Sequence, residues 1–137
     1  MKVKVFLLFF LINISYYSSS KNTSYANSSF ILAKINNEII TNIDVKNEEY
    51  YLLAINKNLL ELNSEKLFEV SKNSLIREKI KINELSKYYD LDQEVSYLDE
   101  ILKDFYTNLK LENEEQLKIY FFENNVNIEE VKKKLNI

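Results

Sequence analysis

Residues 64–89, SEKLFEVSKNSLIREKIKINELSKYY, constrain this chain more than any other stretch, because they contain neither Gly nor Pro and so nothing that interrupts a helix. Phe68, Leu75, Ile82 and Tyr89 recur every seven residues, which keeps them on one side of an α-helix. Leu67 and Leu85 widen that stripe, while Ile76 and Ile80 lie on a different side. A helix that is apolar on more than one side is covered by neighbours on more than one side. At about 1.5 Å per residue it would be nearly 40 Å long, enough to cross a small domain. Ser64 is placed to cap it, with Glu65 and Glu69 near its start and Lys87 near its end, as the helix dipole prefers. The expectation is a central strut around which a helical domain is built.

Other segments supply partners for such a strut. Residues 30–41, FILAKINNEIIT, are the only strand-like piece. Two apolar runs flank Asn36-Asn37-Glu38, and Asn tolerates the left-handed backbone of a tight hairpin turn. A lone hairpin is marginal in water, so it must pack on the helices or pair with another segment. Thr41 or Asn42 caps a first helix running to about Ile55, with Asp44 in its first turn and Tyr50, Tyr51, Leu52 and Leu53 in its middle. Residues 56–63 connect it to the strut. Asp92 is placed to cap a third helix whose apolar stripe is Val95, Leu98, Leu102, Phe105 and Leu109. Asn113 with Gln116 forms a capping-box-like pair before a short helix carrying Leu117, Tyr120 and Phe121. Asn124 and Asn125 end that helix where most proteins use Gly. Asn127 with Glu130 opens a last helix carrying Ile128, Val131 and Leu135. The fold class expected is mainly α with a small N-terminal β-hairpin.

Residues 1–20 read as a cleavable secretory signal peptide. Lys2 and Lys4 precede an apolar run over residues 5–12, too short to span a membrane, and Ser18 and Ser20 suit cleavage after Ser20. Residues 21–29 read as a flexible polar tail, and residues 30–137 as the helical domain. The two Asn-X-Ser/Thr triplets at Asn22 and Asn27 are taken as chance matches in a chain so rich in Asn and Ser.

Composition enters as exclusion. Gly, Pro, Cys and His are absent. Without Gly there is no phosphate-cradling loop. Without His or Cys there is no usual zinc site, thiol nucleophile or Ser-His-Asp triad. The net charge of −3 argues against nucleic acid, and removal of the two signal lysines makes the remainder more acidic. Glu48, Glu49, Glu114 and Glu115 are the paired carboxylates available for acid–base work; glutamates in polar helix surroundings are expected on a solvated face. No catalytic, cofactor-binding or metal-ligating residue is assigned.

The segment ILAKINNEIITNID over residues 31–44 resembles the opening of the N-terminal domain of SurA-type periplasmic chaperones. Asn36, Asn37, Glu38, Ile40 and Asp44 match the family pattern there, followed by Val45. Leu75-Ile76-Arg77-Glu78, continued by Ile80, Ile82, Leu85 and Lys87, resembles the family's core helix. The order of the remaining helices, with NEEQLKIYF over residues 113–121 and a helix opening at Asn127, is similar too. The turn at Tyr89-Asp90-Leu91 departs from the family by lacking Gly. Family members commonly continue into parvulin-type prolyl isomerase domains, whose sites use His with Cys or Asp; none can be assembled from these residues.

The resemblance implies a periplasmic holdase that binds unfolded outer-membrane or secreted proteins without an isomerase site of its own. Its candidate client-binding residues are Tyr50, Tyr51, Tyr97, Tyr106, Tyr120 and Phe122, because aromatic side chains give broad apolar contact. The alternatives are the truncated front piece of a SurA-type peptidyl-prolyl isomerase, and an interaction module anchored by an uncleaved N-terminus. Unfolded polypeptides are the expected partners, with no nucleic acid and no stable membrane insertion after cleavage.

Overall fold

The computed structural model describes residues 28–91, 93 and 96–137. The signal peptide, its cleavage point, most of the polar tail, the Asp92 cap and Val95 lie outside the described residues. Within them the chain is mainly helical with one two-stranded antiparallel hairpin, as its patterning predicts.

Strands β1 (Ile31–Ile35) and β2 (Glu38–Thr41) pair with Ala33 opposite Ile40 and Ile35 opposite Glu38, with an irregularity in register between Ile31 and Ala33. Asn36 turns the chain at φ 53°, a left-handed conformation that Asn adopts more readily than other residues with a Cβ. Helix α1 (Asn42–Ile55) follows at once. A capping box starts it: the Asp44 amide donates to Thr41 Oγ1 at 3.2 Å, and the Thr41 amide donates to the Asp44 carboxylate at 2.7 Å. Asn42 also ties the hairpin's first residues to the helix start, its Oδ1 accepting from the Phe30 amide at 2.8 Å.

A 3₁₀ turn (Lys57–Glu61) leads to helix α2 (Ser64–Leu85), the expected strut. Two details of that expectation are corrected. Asn63, not Ser64, is the cap, its Oδ1 accepting from the Lys66 amide at 2.8 Å. The helix also stops at Leu85, giving about 33 Å rather than 40 Å. Ser86, Lys87 and Tyr88 form a turn, and Tyr89 is exposed instead of continuing the buried stripe.

Helix α3 (Leu98–Asn108) begins later than the Asp92 cap implied. Ser96 and Tyr97 are in a turn, and Tyr97 at the cap position makes no side-chain capping bond. Helices α4 (Glu114–Glu123) and α5 (Ile128–Leu135) open on Asn113 and Asn127, whose side chains accept from the Gln116 and Glu129 amides. Gln116 reaches back one residue further than in the standard box, accepting from the Glu112 amide at 3.0 Å. In this glycine-free chain α3 and α4 end on Lys110 (φ 62°) and Asn125 (φ 59°). Each supplies the left-handed residue of a Schellman ending, closed by Leu111 N–H to Tyr106 C=O at 2.9 Å and Val126 N–H to Phe121 C=O at 2.8 Å.

The core is divided. One cluster joins Ile40, Val45 and Leu75, with Leu32, Ala33, Ile35, Phe68 and Ile76 against it; it holds the hairpin to α1 and α2. The other joins Ala54, Leu98, Leu102, Leu117, Phe121 and Val131, and holds α3, α4 and α5 to the far end of α1. Phe121, Leu117 and Val131 are sealed there, each contributing about 1.5–3 kcal/mol of burial. Among the described residues only α1 serves both clusters, through Val45 at its start and Ala54 near its end. The organising element is therefore α1. Helix α2 is covered along one side, where Ser71 and Leu75 are buried, while Ile80 on another side is 48% exposed.

Candidate functional site

Between the two clusters lies a cleft of about 1100 Å³. Three helices each give it one stripe at i, i+3, i+4, i+7 spacing, the interval that brings residues to one helix face. Helix α1 presents Asp44, Asn47, Glu48 and Tyr51; α2 presents Leu75, Glu78, Lys79 and Ile82. The last helix and its cap present Asn127, Glu130, Val131 and Lys134. Strand β2 forms one wall, and the turn after α2, with exposed Tyr88 and Tyr89, forms part of the rim.

A charged clamp crosses this cleft. Glu48 is only 3% exposed, which corrects the expectation of a solvated face, and Glu49 beside it is buried as well. The Ser74 hydroxyl donates to Glu48 Oε1 at 2.7 Å, and Lys134 Nζ donates to Glu48 Oε2 at 3.0 Å. The same ammonium group bonds Glu78 and stands 5.3 Å from the centre of the Tyr51 ring. Burial alone would push the Lys134 ammonium down. Its hydrogen bonds to Glu78 and Glu48, with the field of both carboxylates, outweigh that and hold it above the ordinary lysine value. Burial pushes the Tyr51 phenol up; Lys134 opposes this, and Glu48 and Glu78 add to it. Tyr51 is thus a neutral hydroxyl at physiological pH.

With both oxygens of Glu48 occupied, the group serves as a joint between α1, α2 and α5 rather than as a free base. A second ion pair, Lys79 with Glu38 at 2.7 Å, ties α2 to the hairpin, and a third, Lys132 with Glu114 at 2.8 Å, ties α5 to α4. Glu114 and Glu115 lie together at the start of α4, near Lys118. Among the described residues no group of three or more acidic side chains is arranged to hold a metal ion, and no helix is long and apolar enough to cross a membrane.

The six aromatic candidates scatter. Tyr51 lines the cleft. Tyr106 and Tyr120 pack on the C-terminal cluster, and the Tyr120 hydroxyl donates to the Ala54 carbonyl at 2.5 Å, pinning α4 to α1. Tyr50 lies half-buried under Lys46, 4.9 Å from its ring centre. Tyr97 and Phe122 are 55% and 82% exposed, away from the cleft. Sequence reasoning weighed Glu48 but set it on a solvated face, and it missed Glu78, Lys134 and the rim tyrosines Tyr88 and Tyr89 as lining. A usable signal existed: polar residues on α1, α2 and α5 recur at the helical interval beside the apolar ones.

Comparison of the chain with protein-family models, with curated proteins and with solved structures finds no match.

Proposed function

We propose that this chain is a periplasmic holdase, allied to the N-terminal domains of SurA-type chaperones, that binds unfolded outer-membrane or secreted polypeptides without isomerase chemistry. The observation that carries the reading is the cleft itself. It is large enough for several side chains, apolar where the half-buried Ile82, Leu91 and Val126 line it, and rimmed by exposed aromatic residues. A broad, open surface of that kind takes many sequences at modest affinity. Export rests on the signal-like residues 1–20.

The test is dilution of a urea-unfolded porin into buffer containing the chain, followed by light scattering. Excess chain suppresses scattering, and Tyr88→Ser with Tyr89→Ser, both at exposed positions, weakens the suppression. Undiminished aggregation with the chain at a concentration of about 10 μM or more overturns the reading, since capture with a Kd of about 1 μM would be near saturation there.

A further inference from the structure

Resting on the holdase reading, we propose that the cleft takes its polypeptide in extended form, as a third strand added to the free edge of β2, and favours segments that alternate apolar with basic residues.

Glu38, Ile39 and Ile40 are consecutive, and all three border the cleft. Successive side chains of a strand point to opposite faces, so a wall made of three in a row is the edge of the strand and not one of its faces. Strand β1 occupies one edge of β2, and among the described residues no strand occupies the other. A strand edge offers backbone donors and acceptors at the spacing another extended chain requires.

Charge selects among extended segments. Glu38, Asp44, Glu48, Glu78, Asp90 and Glu130 line the cleft, against Lys79, Lys133 and Lys134. Lys79 is engaged by Glu38, and Lys134 by Glu48 and Glu78. The lining is negative by three charges, six carboxylates less three ammonium groups, and a cleft walled by protein focuses that field. A cationic segment is attracted and an anionic one repelled. With apolar residues turned to the half-buried Ile82, Leu91 and Val126, the alternate positions of the same strand face outward toward the acidic mouth, where Glu130 is exposed. The ligand pattern is therefore of period two.

The probes are labelled peptides of about ten residues, long enough to pair fully with a short strand. They alternate Val with Lys, Ser or Glu, and binding to the full chain is read by fluorescence anisotropy. The lysine peptide binds at least about ten-fold tighter than the glutamate peptide at low salt, and the margin shrinks as salt rises. Methylating the backbone nitrogens of one parity abolishes binding while methylating the other parity does not, because only one set of amides faces β2. Glu130→Lys, at an exposed position, narrows the lysine preference. Equal affinity for the lysine and glutamate peptides, equal effects of the two methylation parities, or an unaltered preference in Glu130→Lys overturns the inference. If the serine peptide still binds and porin aggregation is still suppressed, the holdase reading survives that failure. If no peptide binds and aggregation proceeds, both fall.

Discussion

Replacing Lys134 by Met should destabilise this protein far more than loss of a lysine from the last turn of a helix ordinarily would. The substitution keeps the aliphatic stem and removes the ammonium that holds Glu48 at 3.0 Å. Glu48 stays 3% exposed, keeps Ser74 on one oxygen, and faces Glu78 with no cation between them. Breaking one side of a buried ion pair costs about 3–5 kcal/mol. A Lys134 side chain 19% exposed and a Glu78 side chain 27% exposed argue for the lower figure of about 3 kcal/mol. Set against a typical total of about 5–15 kcal/mol, that is a large fraction. It corresponds to a melting temperature lower by roughly 12 °C in a domain of this size. The decisive assay is a double-mutant cycle by urea denaturation. Glu48→Gln combined with Lys134→Met removes both charges and should return stability to within about 1 kcal/mol of the Glu48→Gln single variant. A cost below about 1 kcal/mol for Lys134→Met alone, or strict additivity in the cycle, would refute the clamp. The pH limb gives an independent check. A folded pKa raised above the unfolded value stabilises fully below the unfolded value and is lost as pH rises through the folded one. Lys134 therefore contributes at neutral pH, and its contribution begins to fall near about pH 10.4 and is lost as pH rises through the higher folded value.

Other consequences are smaller. Hydrogen bonding to Lys79 and to Lys132 holds the Glu38 and Glu114 carboxyls below the ordinary glutamate value, so both pairs stabilise above about pH 4.3 and weaken as acid titrates them; acid unfolding of Glu38→Gln should show a shallower pH dependence than wild type. Thr41→Ala removes the capping oxygen of α1 and should cost about 1 kcal/mol by urea titration, while Thr41→Ser should cost little. Asn125→Ala places a Cβ-bearing residue without a local polar side chain at φ 59° and should cost about 1 kcal/mol, whereas Asn125→Gly should be neutral or mildly stabilising. Phe121→Ala empties the centre of the C-terminal cluster and should cost about 3–5 kcal/mol, with Tyr120→Phe well below that because it loses one hydrogen bond.

The secondary structure was largely legible because it is written in local chemistry. Thr41, Asn113 and Asn127 start helices where a short polar side chain can meet free amides, and Asn36 and Asn125 reverse the chain where Gly is lacking. Periods of seven and of three and four placed Leu75, Leu98, Leu102, Leu117 and Val131 in the interior, and burial agrees. The misplacements are at ends. Tyr89 continued the seven-residue period on paper, but the chain turns at Ser86, and periodicity carries no information about where a backbone must change direction.

Which helix lies at the centre, and what the polar stripes do, belonged to the tertiary structure alone. Length and apolarity pointed to α2, yet α1 is the segment that both clusters share, because packing depends on which faces meet and not on how long a helix is. Glu48 read as a solvated residue because glutamates usually are. It is buried because Ser74 comes from 26 residues away and Lys134 from 86, and together they satisfy both of its oxygens. A sequence specifies the face on which a charge sits; only the folded chain decides whether water or another helix stands opposite it.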